Sequence, residues 1–376
     1  MLDIEARGWR RAGSLLDDLR RVAARASARA CDVDQDGTFP RDDIADLAAA
    51  GALAAPFTHF NKGAPDELAQ SFRIIGHASL PLGRLYEGHV NAAALIGRFG
   101  TTQQQALAGR QAAGGALFGV WNTEGENGVQ LVRANGRLEL AGSKTFASGA
   151  GHVGRPLITA RDEKGDLLMV LPRLDGALRA DLSAWRAHGM RASATGSFRF
   201  DGIPVDTQDI IGAAGDYHRQ PHFSAGAWRF CAVQLGGIER LVEETARFLR
   251  EHGRGNDPYQ LARMGEATIA AETARLWVER AASVAEAPEI DATPEASRRT
   301  VAYVNLARGA VERSGLEVMQ LVQRSIGLPA FLRTSPVERL CRDLATYLRQ
   351  PAPDRALCEA ASHVLSSEAK LSELWR

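Results

Sequence analysis

The stretch LVRANGRLELAG, residues 131–142, decides the fold, because here the apolar spacing shifts from three or four residues to two. Alternating segments flank Asn135 and Gly136, the pair that suits a tight two-residue hairpin. RPLITARDEKGDLLMVLPRL, residues 155–174, repeats the arrangement around a polar turn from Glu163 to Asp166, and TGSFRFDGIPV, residues 195–205, adds another alternating run. A β unit is therefore expected over residues 115–206. On its N-terminal side the pattern is helical: LLDDLRRVAARASARA from Leu15 repeats small and apolar residues three and four apart. Asp42 and Asp43 stand ahead of IADLAAA, where carboxylates favour the exposed amides of a helix start. On its C-terminal side GGIERLVEETARFLR puts Ile238, Leu241, Val242, Phe248 and Leu249 on one helix face. Further helical patterns run through ATIAAETARLWVERAA, Ser297 to Gln323, Val337 to Arg349, and, after Pro351 and Pro353, from about Asp354 to Leu374.

Composition sets the class. At 376 residues the chain exceeds a usual single core, so two or three packed units are expected. Apolar residues make up 45% and charged residues 24%, which fits a globular protein and excludes a disordered or fibrous one. Lys plus Arg and Asp plus Glu balance at 45 each, which removes the electrostatic case for a nucleic-acid partner. Cysteines 31, 231, 341 and 358 lie too far apart for a C-x-x-C zinc or redox site, so no metal centre and a reducing, cytoplasmic location are expected. The opening MLDIEARGWRR carries mixed charge and no run of eighteen apolar residues occurs, so neither secretion nor a membrane span is expected. DVDQDGTFPRDD, residues 32–43, imitates a calcium loop through Asp32, Asp34, Asp36 and Gly37. Pro40 then occupies the ninth position and Asp43 the twelfth, and no second loop follows, so calcium binding is not expected.

Helix, then sheet, then a long helical bundle is an uncommon order. With it, DQDGTFPRDDIADLAAAGALAAP at 34–56, WNTEG at 121–125, LELAGSKTFASGA at 138–150, GMRASATGSFRFDGIPV at 189–205 and SPVERLCRDL at 335–344 make the chain resemble the acyl-CoA dehydrogenase family. The resemblance covers nearly the whole chain. It implies an α+β protein with an N-terminal helical domain at 1–114, a middle β-barrel or sandwich at 115–206, and a C-terminal four-helix bundle at 207–376. It also implies FAD bound between the β unit and the bundle. Trp121, Asn122 and Thr123 match the segment whose backbone and hydroxyl bond the flavin pyrimidine edge and N5 region. Phe146 and Ser148 match the aromatic and hydroxyl residues beside the ring, Arg250 the bundle arginine on the pyrophosphate, and Gly327 a glycine turn near the cofactor. A flavin edge needs directed donors and an apolar wall, which agrees in kind. Trp121 and Phe146 can equally be sandwich core, and Arg250 a solvated helix residue. A homodimer or homotetramer is implied as well.

Two family features are missing. The glutamate that removes the substrate α-proton is expected just beyond Arg342 and Asp343, where the chain has Pro351, or near 226–229, where it has GAWR. The substrate-holding P-x-x-G-S-D loop is replaced by GENGVQ. The resemblance first implies acyl-CoA oxidation with an electron acceptor. The alternative is a branch of the fold that hydroxylates nitrogen, carbon or sulfur of a small molecule with reduced flavin, FMN included, supplied by a reductase. That branch can place a histidine facing the flavin, and His89 falls there; its second histidine would fall near Gln350. A non-catalytic scaffold of the same fold is a third expectation, since fold does not fix function.

Overall fold

The computed structural model describes residues 12–58, 65–134, 136–174, 179–288, 290–349 and 351–375. Among the described residues six helices come first: α1 (Ala12–Asp36), α2 (Arg41–Ala49), α3 (Ala55–Thr58), α4 (Pro65–Ala78), α5 (Leu80–Phe99) and α6 (Thr102–Ala113). Their ends are chemically marked. Ser79 accepts the Leu82 amide and Pro81 follows inside the first turn of α5, while Thr101 and Gln104 cap α6 reciprocally. α1 continues through Asp36, and Asp34 near its end is ion-paired with Arg342 at 2.7 Å, so that carboxylate neutralises a guanidinium.

Short strands follow, ten among the described residues: β1 (Phe118–Trp121), β2 (Gln130–Ala134), β3 (Arg137–Ala141), β4 (Ser143–Ala147), β5 (Arg155–Arg161), β6 (Leu167–Val170), β7 (Ala180–Asp181), β8 (Gly196–Arg199), β9 (Ile203–Pro204) and β10 (Ile210–Ile211). β2 and β3 pair antiparallel with Ala134 opposite Arg137, the hairpin read from the sequence. Gly136 has φ +76°, a conformation glycine adopts at little cost, while Asn135 lies outside the described residues. β5 and β6 form the second hairpin around Glu163–Asp166, with Arg161 opposite Leu167. One sheet runs β10-β6-β5-β2-β3-β9 with β1 parallel to β5, and a three-stranded sheet runs β4-β8-β7. Trp121, Phe198 and Phe200 fill the space between them, with ring centroids 5.0 to 6.3 Å apart. Because β10 pairs with β6, the sheet extends past residue 206.

Helix then resumes as α7 (His222–Ala225), α8 (Trp228–Glu251), α9 (Pro258–Ala285), α10 (Pro294–Ile326), α11 (Pro336–Tyr347) and α12 (Pro353–Ser366). The last helix stops eight residues short of the expected Leu374, with Ser367 in extended conformation and Pro353 serving as its first-turn residue. α8 is the hub. It meets α4 at glycines: a Cβ on Gly76 would lie 2.2 Å from the Val233 carbonyl oxygen, and one on Gly236 2.3 Å from that of Arg73. Only hydrogen fits between these backbones, and the close crossing joins the N-terminal helices to the bundle. Phe72 packs on Tyr86 and Trp228 beside the crossing, so α4, α5 and α8 share one core. Among the described residues no helix is long and apolar enough to cross a membrane.

Candidate active site

Between the β unit, α5 and the bundle lies a cavity of about 810 Å³, within the size range of small-molecule and cofactor sites. Its β wall is made by Val120, Asn122, Thr123 and Phe146. Strand alternation explains part of the set: Trp121 points into the core and donates from Nε1 to the Ser148 carbonyl at 2.9 Å, so Val120 and Asn122 take the other face, and Thr123 follows in the turn beyond the strand. Phe146 is held at φ +51°, a strained backbone for a non-glycine residue, and its ring is 63% exposed into the cavity.

Behind that wall sits a group the sequence reading passed over. Lys144 is fully buried, pairs with Glu124 at 2.8 Å, and donates to Thr159 Oγ1 at 2.8 Å and to the Asn122 carbonyl at 3.3 Å. Thr159 in turn donates to Asn122 Oδ1 at 3.0 Å. Burial pulls the Lys144 pKa down while Glu124 opposes it. Lys144 is a positioning residue that fixes the Asn122–Glu124 segment. Its signal in sequence is a lysine at an inward-pointing position of an alternating strand.

The helical wall is charged. Arg84, Glu87 and Asn91 lie along one face of α5 at helical spacing; Glu87 pairs with Arg84 and accepts from Asn91 Nδ2. From the bundle, Arg229 pairs with Glu286 at 2.6 Å and donates to Asn91 Oδ1 at 3.1 Å, and Trp228 Nε1 donates to Glu286 at 3.0 Å. Gly226, Ala227 and Pro351, the positions where the family carboxylate was sought, all reach the cavity beside Arg308. The two carboxylates on this wall are thus each held by an arginine. His222 stands there too, receiving Arg98 Nη2 on Nδ1 at 3.2 Å and donating from Nε2 to Asp291 at 3.2 Å. Those partners fix a neutral imidazole, and burial together with Arg98 lowers its pKa. Burial also pushes the Tyr217 hydroxyl above its ordinary pKa, keeping it a donor, and pushes the nearby Cys231 thiol up to about 12.

His89 is corrected by this geometry. It is completely buried among Phe57, Phe118 and Tyr86, on the side of α5 opposite Glu87. Nδ1 accepts the Phe118 amide at 3.0 Å and Nε2 donates to the Leu53 carbonyl at 2.8 Å, so both nitrogens are occupied by backbone. Burial lowers its pKa to about 4. It is a neutral structural imidazole that joins α5 to β1 and not a flavin-facing acid or base. Gln350, the position considered for a second histidine, lies outside the described residues.

The other expected site residues are spread out. Ser148 sits just behind the β wall, its Oγ accepting from Thr195 Oγ1 at 3.3 Å. Arg250 is on the outer surface of α8 beside Arg247 and Glu243. Gly327 caps α10 at φ +80°, with open space where a Cβ would stand.

Helical domain, β unit, four-helix bundle and the cleft where all three meet define the acyl-CoA dehydrogenase-like architecture. The chain has that fold, and the proteins it is similar to include both acyl-CoA dehydrogenases and flavin-dependent monooxygenases. A sequence model of the family described as "Acyl-CoA dehydrogenase, C-terminal domain" matches residues 228–349. The dibenzothiophene monooxygenase of Rhodococcus erythropolis is 24% identical over 388 residues, covering 93% of this chain and 92% of the relative. The short-chain specific acyl-CoA dehydrogenase of Clostridium acetobutylicum is 23% identical over 338 residues, covering 84% and 86%. Among solved structures, FMN-bound TdsC, a dibenzothiophene monooxygenase from Paenibacillus sp. A11-2, superposes with a TM-score of 0.84 at 20% identity, covering 96% of this chain and 100% of that one.

Proposed function

We propose that the protein is a flavin-dependent oxidoreductase that works as a monooxygenase on a small molecule, taking reduced FMN from a separate reductase. The observation that carries this reading is the cavity wall. Acyl-CoA dehydrogenation needs a carboxylate free to take a proton, and the expected positions hold Pro351 and Gly226 to Arg229 while Glu87 and Glu286 are tied to Arg84 and Arg229. The likeness to monooxygenases, one of them with FMN bound, supports the same branch. The dehydrogenase expectation that came first from the sequence is therefore the lesser reading. FMN is preferred to FAD, and Arg250 and Gly327 need hold nothing in this version.

The residues fit a flavin ring. Phe146 offers an exposed aromatic face, Asn122 and Thr123 offer polar groups along one edge, and Ser148 stands close behind. Reduced flavin, when bound, supplies the two electrons with which dioxygen gives one atom to the substrate and the other to water. The protein's own part is to align the ring against the β wall, keep bulk water out with the apolar surface of Leu95, Phe99 and Phe223, and hold the charges of α5 and α8 in fixed pairs around it. A homo-oligomer belongs to the same proposal, supported by Leu261, Ile269 and Leu276 exposed on α9. The test is oxygen uptake by the full chain with a flavin reductase, NADH and FMN, with indole as a trial substrate. The reading expects oxygenated indole that requires both FMN and oxygen; no affinity for FMN in either redox state would sink it.

A further inference from the structure

Among the described residues, the cavity carries more positive charge than its own carboxylates neutralise. Four arginines reach it, Arg84, Arg98, Arg229 and Arg308. Glu87 takes Arg84, Glu286 takes Arg229, and Asp291 takes Arg98 at 3.7 Å. Removing those three pairs leaves Arg308. Its Nη2 donates to the Pro351 carbonyl at 2.7 Å, its Nη1 reaches Asn305 Oδ1 at 3.5 Å, and its guanidinium carbon lies 5.4 Å from the centre of the Phe230 ring. These are neutral neighbours. Among the described residues no carboxylate forms an ion pair with it, and Glu359, which acts on it from farther away, is itself paired with Arg355 at 2.8 Å.

A guanidinium has five N–H groups in a fixed fork, so Arg308 keeps donors to spare. Holding a charge partly out of water without a counter-charge is unfavourable, and a ligand anion removes that cost. Arg308 and Arg229 belong to the bundle wall, whereas Asn122, Thr123 and Phe146 belong to the β wall. Leu95, Phe99 and Phe223 supply apolar surface to the same cavity.

We propose that Arg308 binds the oxyanion head, a carboxylate or a sulfur oxyanion, of a substrate with an apolar body. The inference rests on reading this cavity as the substrate chamber of a flavin enzyme, but the charge balance that carries it does not involve flavin. The test is isothermal titration of the full chain, with and without FMN, using benzoate, benzenesulfinate and the neutral benzamide. The anions bind, benzamide binds at least about tenfold more weakly, and the preference fades in high salt. Arg308→Gln lowers anion affinity about ten- to hundredfold and leaves benzamide and FMN affinity unchanged, while Arg308→Lys recovers part of the loss. The tighter of the two anions identifies the preferred head. Benzamide binding as well as benzoate, neither anion binding, or unchanged anion affinity in Arg308→Gln overturns the proposal. So does a loss of FMN affinity in its place, which assigns Arg308 to the cofactor phosphate. Selective anion binding by a chain that takes up no FMN leaves the inference standing and removes the flavin reading instead. Should Arg308→Gln fail to fold, the charged-against-neutral comparison on the native chain decides alone.

Discussion

Replacing His89 by glutamine separates a structural imidazole from a catalytic one. Its Nδ1 accepts the Phe118 amide and its Nε2 donates to the Leu53 carbonyl, and no part of the ring meets solvent. Glutamine offers one acceptor and one donor but no titration. The native imidazole resists protonation until about pH 4, whereas the unfolded chain's takes up a proton near 6.5. Folding therefore loses stability as pH falls through that window, by about 3 kcal/mol in full and about 2 kcal/mol already at pH 5 relative to pH 7.5. Asp343 works in the opposite sense. It is fully buried, accepts the Met190 amide at 2.6 Å, and burial raises its pKa to about 6, so it takes up its proton earlier in the folded state and adds about 1 kcal/mol over the same drop in pH. Asp343 thus offsets only part of the His89 loss in the native protein, and the difference between variant and native isolates His89. Urea unfolding at pH 7.5 and 5.0 reads it: His89→Gln is less stable than native by about 1–3 kcal/mol at pH 7.5, and the gap shrinks by about 2 kcal/mol at pH 5. An unchanged gap refutes the neutral buried imidazole. A variant of native stability that has lost turnover restores His89 to the catalytic machinery.

Lys144→Met removes the tether of the Asn122–Glu124 segment. Glu124 is 43% exposed and can rehydrate, so the cost is about 1–3 kcal/mol in thermal unfolding, accompanied by weaker FMN binding; an unchanged FMN affinity refutes the positioning role. Gly236→Ala drives a Cβ to 2.3 Å from the Arg73 carbonyl and 2.6 Å from the His77 amide nitrogen, both backbone atoms, so it costs about 3 kcal/mol or more. Gly309→Ala, with open space at its Cβ and a mid-helix position, instead stabilises by about 1 kcal/mol, and the pair of melting temperatures checks the packing of α4 against α8.

Much of the architecture was legible because it rests on local periodicity and turn chemistry. The hairpin at Asn135–Gly136 and the turn at Gly165 mark themselves, and the return to helical spacing after β10 marks the bundle. The β wall of the site was legible in part, since alternation along β1 sends Trp121 inward and Asn122 outward. The helical wall was not. α5 is buried almost all round from Leu80 to Ala93, so spacing alone could not say whether His89 or Glu87 faces the cleft. The pairing of Arg229 with Glu286 spans 57 positions and exists only because α8 and α9 pack side by side. GAWR was read for the glutamate it lacks, and the arginine it contains proved to be the charged cavity residue of that stretch. Lys144 shows in the sequence only as a lysine at an inward-pointing position of an alternating strand, and its partners Glu124, Asn122 and Thr159 come from other segments.

The central claim, flavin chemistry without a dehydrogenase base, is tested most directly by adding butyryl-CoA without oxygen to the flavin-loaded protein and following the visible flavin absorbance. The account predicts a spectrum that stays oxidised. Bleaching at an enzymatic rate would contradict it and would make Glu87 or Glu286, freed from its arginine, the base to look for.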